Sequence, residues 1–338
     1  MASNIVSQFL MQATYASQNP SSGGPTITPF PNFDPCVDAA ALNTALNAKG
    51  VDEDTIITIL TTRTNCQRQQ IAAAYQQSVG KELKDVVKSK LSKKLETVAL
   101  DLLKTPAQFD AHQVRGALKG IGTDEDCLVE ILVSRRNKEI KDFIEAYKEE
   151  FNRCLAEDIK NDTSGDFQKS LLVLLEASRD EGSEVDYDLA DDDARVLYDA
   201  GEKRKGTDVT AFMKVLSSRN FAHLKRVFER YTKYSKHEVG KALDLELNGD
   251  IENLLMSLVK CIGSKPAYFA EKLDLSMKGC GTEDAALIRV MVSRSEVDLK
   301  DIEAEYKAKY GMSLYSAIMK ETKGDYEKIL LALCGSKE

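Results

Sequence analysis

The sequence predicts an all-α protein built from internal repeats. Beyond residue 35, apolar side chains recur at positions i, i+3 and i+4 almost throughout the chain, which is the spacing of amphipathic helices. No stretch shows the polar and apolar alternation that is typical of a half-buried strand. A glycine-rich segment also returns along the chain, and such self-similarity indicates a repeat architecture.

One helix in each repeat is predicted to end in an arginine. The four are Arg63, Arg135, Arg219 and Arg294, and consecutive ones are 72, 84 and 75 residues apart. Each follows apolar residues at helical spacing. Because an arginine at a helix C-terminus complements the helix dipole, we interpret these residues as structural rather than catalytic.

The glycine-rich segment has the pattern Gly-x-Gly-Thr followed by an acid. It occurs at residues 120–124 and 279–283, with a looser copy at 204–208. A carboxylate in a short polar turn follows forty residues after the last glycine of each copy. The pairs are Gly122 with Asp162, Gly206 with Glu246, and Gly281 with Glu321.

This pairing of glycine loop and carboxylate favours a calcium site. Calcium takes six to eight oxygen ligands, many of them carbonyls, together with a carboxylate that binds bidentately. Glycines allow a loop to turn its carbonyls towards one point. Thr123 and Thr282 are then predicted to be helix N-caps. The alternative is a plain helix-start turn with unrelated surface acids, and the constant spacing in three copies argues against it.

Repeat one departs from this pattern. Its loop at residues 48–52 has a single glycine, and Gly50 to Arg63 spans 13 residues where Gly120 to Arg135 spans 15. The loop is therefore predicted to be two residues short. The position forty residues after Gly50 is Lys90, a cation in place of the carboxylate. We do not expect the full calcium site in this repeat.

Composition narrows the functional classes. The chain has 338 residues and a formal net charge of −8, which argues against nucleic acid and against simple electrostatic attachment to anionic lipid. Seven scattered cysteines without CxxC spacing predict reduced thiols in a cytosolic protein. No apolar stretch reaches the roughly 20 residues of a membrane span. The sequence contains no P-loop, HExxH or GxSxG motif, so we do not expect an enzyme.

Two segments are predicted to lie outside the repeats. Residues 1–33 contain no Asp, Glu, Lys or Arg, and we expect a tail separate from the body. Its amphipathic stripe is Val6, Phe9, Leu10 and Ala13. The acidic run at 179–193 is predicted to be a solvated linker. It is not an EF-hand loop, because Asp191 stands where that loop requires glycine.

The repeated segments resemble the annexin family over residues 36–338, and the fourth repeat matches it nearly residue for residue at 287–296 and 331–335. Within the family the chain is similar to the lipocortin group. The segments that carry this likeness lie at 49–53, 203–208, 231–237 and 320–330, with a further match in the tail at Val6, Phe9 and Leu10.

The resemblance implies a domain organisation. Each repeat would contain about five helices, and the four repeats would form a curved disc with the calcium loops on its convex face. The implied segments are a regulatory tail and linker at 1–35, repeats at 36–107, 108–179, 192–264 and 265–338, and an acidic linker at 180–191.

The resemblance also implies ligands. Carbonyls of the loops would bind calcium with one carboxylate per site, and the sets are Leu118, Gly120, Gly122 and Asp162; Gly201, Arg204, Gly206 and Glu246; and Met277, Gly279, Gly281 and Glu321. Minor sites in repeat one would use Gly50, Val51 and Glu53, and Lys88, Leu91 and Glu96. Lys205 would face the lipid headgroups.

The implied function is calcium-dependent binding of acidic phospholipid membranes, with membrane bridging and lipocortin-like inhibition of phospholipase A2. The implied location is cytoplasmic and peripheral on membranes when calcium rises, with nuclear and unconventional extracellular pools. The tail stripe would bind a dimeric EF-hand calcium sensor or pack into the body's own core. The alternative function is a helical protein-interaction scaffold with vestigial calcium loops.

Overall fold

The computed structural model describes residues 23–335 except Ile121 and Cys280. These residues form twenty α-helices, five in each repeat, and no strand occurs in this part of the chain. The predicted all-α class and the five-helix repeat are confirmed. No helix in the described part combines the length and the apolar character needed to cross a membrane.

The chain divides into two compact units. Unit 1 comprises the chain up to Pro106 and from Phe269 onwards, and unit 2 comprises Ala107–Tyr268. Unit 1 therefore holds repeat 1 and nearly all of repeat 4, whereas unit 2 holds repeats 2 and 3. Residues distant in sequence thus share one core in unit 1.

The helices of unit 1 come from the two ends of the chain. Repeat 1 contains α1 (Pro35–Asn47), α2 (Glu53–Thr62), α3 (Asn65–Val79), α4 (Leu83–Lys90) and α5 (Lys93–Leu103). Repeat 4 contains α16 (Lys265–Met277), α17 (Asp284–Arg294), α18 (Leu299–Tyr310), α19 (Leu314–Glu321) and α20 (Gly324–Cys334). Helix α20 packs against α2 and α5 of repeat 1, which buries Ile56, Val98 and Leu333 completely.

The helices of unit 2 follow the same order. Repeat 2 contains α6 (Pro106–Ala117), α7 (Glu125–Ser134), α8 (Asn137–Phe151), α9 (Leu155–Asp162) and α10 (Gly165–Leu175). Repeat 3 contains α11 (Tyr187–Ala200), α12 (Val209–Ser218), α13 (Phe221–Tyr231), α14 (Val239–Glu246) and α15 (Gly249–Gly263). Helix α15 packs against α7 and α10 of repeat 2, the counterpart of the α20 packing in unit 1.

The repeated arginines form ion pairs with buried aspartates within their own repeats. In repeat 2, the Nε and NH2 groups of Arg135 donate to the two carboxylate oxygens of Asp110 at 2.7 and 2.9 Å. Burial lowers the pKa of the Arg135 guanidinium and the adjacent Asp110 carboxylate raises it, with a net rise. The arginines at the corresponding positions of repeats 1 and 3 bind Asp38 and Asp193. These pairs join the first helix of a repeat to the end of its second, which supports the structural interpretation.

In repeat 4 the arginine has a different ion-pair partner. No aspartate stands at the matching position of its first helix, which is Phe269. Arg294 instead donates to both carboxylate oxygens of Asp298 at 2.8 and 2.6 Å. Its guanidinium carbon lies 4.6 Å from the centroid of the Phe269 ring, so a cation–π contact replaces the helix-to-helix ion pair.

The predicted separation of the N-terminal segment from the body is wrong from residue 23 onwards. The backbone N–H groups of Thr26 and Ile27 donate to the Ser295 carbonyl at 2.9 and 3.1 Å. The Gly24 N–H donates to Asp301 Oδ2 at 2.9 Å, and Ile27 is only 4% exposed. Partners more than 260 residues away hold this proline-rich segment against unit 1. Residues 1–22 lie outside the described part.

The acidic run before repeat 3 is also only partly solvated. Helix α11 starts at Tyr187 within it, and Asp193 is 5% exposed. The Asp193 carboxylate accepts from Arg219 Nε at 2.8 Å and lies 3.1 Å from His223 Nε2. The expectation of a solvated linker therefore fails at Asp193, which is a core ion-pair partner.

Candidate calcium sites

A backbone hydrogen bond closes the loop between the first two helices of every repeat. In repeat 2 the Asp124 N–H donates to the Ala117 carbonyl at 3.0 Å. The corresponding donor and acceptor residues are Asp52 and Ala45 in repeat 1, Asp208 and Ala200 in repeat 3, and Glu283 and Ser276 in repeat 4. The bonded residues are seven apart in repeats 1, 2 and 4 and eight apart in repeat 3. The loop frame is thus common to all four repeats.

In repeat 2 three loop carbonyls accept no hydrogen bond from the described residues. Gly120 and Gly122 have φ angles of 127° and 92°, which glycine adopts readily and other residues rarely do. None of the hydrogen bonds among the described residues ends on the carbonyl oxygens of Leu118, Gly120 or Gly122. Both glycines are exposed. These oxygens are therefore available to a hard cation.

A side-chain hydrogen bond brings the carboxylate turn of repeat 2 to this loop. Thr123 Oγ1 donates to the Asp162 carbonyl at 3.2 Å, although the two residues are 39 apart in sequence. Asp162 is the last residue of α9, and its exposed carboxylate has no partner among the described residues. The structure therefore brings the predicted ligands of this repeat into one neighbourhood.

The predicted N-cap role of Thr123 is wrong. Asp124 is the N-cap of α7, and its side chain accepts from the Cys127 N–H at 2.9 Å. The Thr123 hydroxyl is instead used to tie two segments together. Sequence reasoning missed this role, although a threonine directly after the last glycine in three repeats was the available signal.

The loop of repeat 4 repeats this geometry. Gly279 and Gly281 both have a φ angle of 119°, and Thr282 Oγ1 lies 3.5 Å from the Glu321 carbonyl that it faces. Glu283, not Thr282, is the N-cap of α17, so that expectation is corrected as well. Glu321 ends α19 and is exposed. The carbonyls of Met277, Gly279 and Gly281 accept no hydrogen bond from the described residues.

Repeat 3 differs in its loop. The Gly201 carbonyl accepts from the Arg204 N–H at 3.0 Å, so one of the three predicted carbonyl ligands is already engaged in a turn. The Thr207 hydroxyl is buried and has no hydrogen-bond partner among the described residues, unlike Thr123. Glu246 ends α14 and is exposed. The loop and the carboxylate turn are therefore not tied together by the threonine bond of repeats 2 and 4.

The loop of repeat 1 is not short, which corrects the sequence prediction. Its closing bond joins residues seven apart, as in repeat 2, so Gly50 corresponds to Gly122 and Ala48 to Gly120. Ala48 has a φ angle of −59° where Gly120 has 127°. The first glycine is thus missing rather than shifted, and the path of the loop changes at this residue.

The turn that carries the carboxylate elsewhere ends in lysine here. Lys90 is the last residue of α4 and is exposed, at the position that Asp162 occupies in repeat 2. The predicted minor-site residues fall in two segments of the repeat. Gly50 and Val51 are in the loop, Glu53 begins α2, and Lys88, Leu91 and Glu96 surround the start of α5.

The donor chemistry fits calcium. The described residues contain no cluster of three or more His, Cys, Asp or Glu side chains suited to a metal. The loops of repeats 2 and 4 instead offer carbonyl oxygens that accept no hydrogen bond from the described residues, with one carboxylate each. An all-oxygen set of this kind suits calcium rather than zinc or copper.

Comparisons with known proteins agree with this architecture. The annexin family model matches residues 37–102, 109–174, 192–258 and 268–333. Annexin A1 of Cavia cutleri is 57% identical over 345 residues, covering 99% of this chain and 100% of that protein. Annexin A1 of Homo sapiens is 57% identical over 342 residues, covering 98% and 99%.

Solved structures give the same result. Annexin III has a TM-score of 0.91 at 46% identity, covering 93% of this chain and 98% of that one. A calcium-bound annexin (Sm)1 has a TM-score of 0.84 at 33% identity, covering 94% of each chain. Calcium-dependent phospholipid binding without catalysis is the general property of this group. With four matched repeats and relatives of such identity over nearly its whole length, the chain belongs to the annexin family.

Proposed function

We propose that this chain binds acidic phospholipid membranes reversibly, through calcium ions held by its own loops. The observation that carries the proposal is the contact of a loop threonine with the carboxylate turn in repeats 2 and 4. These contacts join Thr123 to the Asp162 carbonyl and Thr282 to the Glu321 carbonyl. They support the proposal because each links a carboxylate turn to a loop whose three carbonyls accept no hydrogen bond from the described residues. The calcium ligands would be Leu118, Gly120, Gly122 and Asp162 in repeat 2 and Met277, Gly279, Gly281 and Glu321 in repeat 4.

Coordination chemistry explains how such a site would reach a membrane. Three carbonyls and one bidentate carboxylate supply about five oxygens, fewer than the six to eight that calcium takes. The open positions accept water or a lipid phosphate oxygen. A chain of net charge −8 would be repelled by an anionic surface, and a divalent ion between the two removes that repulsion.

Repeat 3 is proposed as a weaker site. Its ligands would be Gly201, Arg204, Gly206 and Glu246. The Gly201 carbonyl already accepts a hydrogen bond from the Arg204 N–H, so it would have to bind calcium as well. Lys205 is exposed in this loop and is proposed to meet a lipid headgroup. Several weak sites on one chain act together, because the first contact raises the effective concentration for the next.

Vesicle sedimentation tests the proposal directly. We expect the chain to sediment with phosphatidylserine vesicles when calcium is present and to be released by a chelator. Phosphatidylcholine vesicles are the control and should retain little protein. Equal sedimentation in calcium and in chelator would contradict the proposal. If vesicles are not bound under either condition, the chain is better described as a protein-interaction scaffold with vestigial loops.

Membrane coverage extends this function. A layer of bound protein hides the lipid surface from other proteins, and we propose that lipocortin-like inhibition of phospholipase A2 arises in this way. Such inhibition depends on the lipid area left bare and requires no contact with the enzyme. We propose that the chain is cytoplasmic and that it lies on membranes as a peripheral protein when calcium rises.

We further propose that the tail stripe binds a dimeric EF-hand calcium sensor. Val6, Phe9, Leu10 and Ala13 lie outside the described residues, so the argument rests on their spacing, which is that of helices that dock in hydrophobic grooves. A free helix of this length is marginal in water, so its ordering should accompany binding. A sensor with two grooves would join two chains and hence bridge two membranes.

Replacing Phe9 by alanine is expected to abolish capture of the sensor. The tail has no charged side chain, so affinity depends on apolar burial, and a fully buried large side chain contributes roughly 1.5–3 kcal/mol. Calorimetry of tail peptides against such sensors measures the effect, with Gln8→Ala as the control on the polar face. Calcium-dependent vesicle binding should be unchanged in the full chain. Unaltered capture by Phe9→Ala would eliminate the groove-docking hypothesis.

A further inference from the structure

We propose that Lys90 and Lys93 bind the phosphates of anionic lipids directly, so that repeat 1 contacts the membrane by charge at the turn where the other repeats carry a calcium-binding carboxylate. The inference rests on the proposed membrane-binding function and assigns repeat 1 a role in it. Both lysines flank the turn between α4 and α5, which we call the repeat-1 lysine turn (residues 90–93).

The repeat-1 lysine turn has the backbone geometry of the three carboxylate turns. Leu91 is the C-cap of α4, and its N–H donates to the Val87 carbonyl at 2.9 Å. In repeat 2, the Thr163 N–H donates to the Ile159 carbonyl in the same way at 3.0 Å. The next helix in each repeat starts with a residue of positive φ. These residues are Lys93 at 57°, Gly165 at 65°, Gly249 at 70° and Gly324 at 67°. Lys90 therefore stands in the place of Asp162, not merely near it.

The backbone at Lys93 makes a second, independent observation. The three sister positions are glycine, the residue that adopts left-handed backbone without penalty. A lysine there is disfavoured by contact between its Cβ and the backbone. Residues held in sparsely populated backbone regions concentrate at functional sites. Glycine at Lys93 would satisfy the fold better, so the lysine side chain is the feature that needs explanation.

Ion pairs place the repeat-1 lysine turn beside the calcium loop of repeat 4. The next residue, Lys94, pairs with Asp284 at 2.6 Å, and Asp284 opens α17 directly after that loop. In the opposite direction, Lys328 of α20 pairs with Asp54 at 2.8 Å, in the first turn after the loop of repeat 1. A membrane held by the repeat-4 loop would therefore meet the lysine turn as well.

The two lysines are free to act. Lys90 and Lys93 are exposed, and neither side chain has an ion-pair or hydrogen-bond partner in the described part of the chain. Residues 81–94 contain six lysines and two acids, a local excess of positive charge in a protein whose net charge is −8. This local charge favours binding of an anion.

The geometry favours lipid phosphate over a soluble anion. An ammonium group binds phosphate as a point charge and needs no fixed orientation. Two lysines on an exposed turn cannot enclose a small anion, whereas a membrane presents many phosphates along one plane. Lysines near an anionic membrane surface each strengthen binding by roughly fivefold, so the pair should contribute about 25-fold.

Sedimentation of a double variant tests the inference. Lys90→Gln with Lys93→Gly removes both charges and gives repeat 1 the glycine of its sisters, so the fold should be preserved and thermal unfolding should confirm it. The charge-matched control is Lys233→Gln with Lys236→Gln. These exposed lysines precede α14, whose eight residues separate them by about 12 Å from the carboxylate turn.

At saturating calcium, we expect the double variant to bind phosphatidylserine vesicles about 25-fold more weakly than the unaltered chain. The difference should shrink as sodium chloride is raised, because salt screens exposed charges. The control pair should change neither the affinity for vesicles nor its dependence on sodium chloride. Inorganic phosphate at matched ionic strength should leave the difference intact.

Each contrary outcome has a defined meaning. Equal binding by the double variant and the unaltered chain overturns this inference and leaves the calcium-dependent function standing. Competition by inorganic phosphate overturns the assignment to lipid, because the lysines would then bind a soluble anion. If the unaltered chain does not bind vesicles in calcium, the proposed function fails and this inference fails with it.

Discussion

Removing the three site carboxylates together is expected to lower vesicle affinity in calcium by roughly 10²–10⁴-fold, the range by which linked weak sites exceed single ones. The variant carries Asp162→Asn, Glu246→Gln and Glu321→Gln. Each change removes the only charged ligand group of its site, which is the bidentate ligand that calcium prefers. Sedimentation across a calcium titration measures the loss, and the concentration of calcium at half-maximal binding should rise in each single variant.

A charge-matched control separates calcium binding from net charge. Asp85→Asn, Glu149→Gln and Glu305→Gln remove three exposed carboxylates from helices α4, α8 and α18. By reducing the net negative charge, this control should bind anionic vesicles as well as the unaltered chain or slightly better. If both triple variants behave alike, the loops of repeats 2 to 4 are not the calcium sites.

The second large effect concerns stability. Asp110→Ala leaves the Arg135 guanidinium, whose side chain is only 4% exposed, without its carboxylate. Breaking a buried ion pair by removing one partner costs about 3–5 kcal/mol, because the remaining charge stays out of water. Urea denaturation followed by circular dichroism should show the free energy of unfolding of unit 2 falling by this amount.

Two further variants decide whether the buried charge is the cause. Lys138→Gln breaks the exposed pair with Asp142, whose side chains are 46% and 42% exposed, and should change stability by less than about 1 kcal/mol. Asp110→Ala with Arg135→Leu removes both charges and should recover part of the loss. If the double variant is as unstable as Asp110→Ala with no recovery, lost packing rather than an uncompensated charge explains the effect.

The fold class was the part that the sequence predicted best, and the spacing that defines the proposed ligands could also be read from it. Helical periodicity is local, and the spacing of forty residues between Gly122 and Asp162 is a property of the chain alone. The structure adds the contact that makes this spacing meaningful, the hydrogen bond from Thr123 to the Asp162 carbonyl. A threonine before a helix looks the same in sequence whether it caps the helix or binds a distant segment, so its role was assigned wrongly.

Two of the other errors have one physical cause, a partner far away in sequence. Asp193 sits in an acidic run, and only Arg219, 26 residues later, makes its burial favourable. Thr26 sits among prolines and glycines, and its partner Ser295 belongs to the other end of the chain. In repeat 1, a single glycine aligned equally well with either glycine of repeat 2 until the closing bond fixed the register. The curved disc and its convex face remain predictions.

The backbone hydrogen bond that closes each loop does not depend on the residues that would bind metal. It uses backbone atoms only, and it is present in repeat 1, where the first glycine and the site carboxylate are absent. Substitutions at ligand positions can therefore accumulate in one repeat without weakening the helix junction that carries them. A fourfold duplication with this property allows each copy to gain, lose or exchange its ligand independently, so a single ancestral loop can diversify into a graded set of membrane contacts.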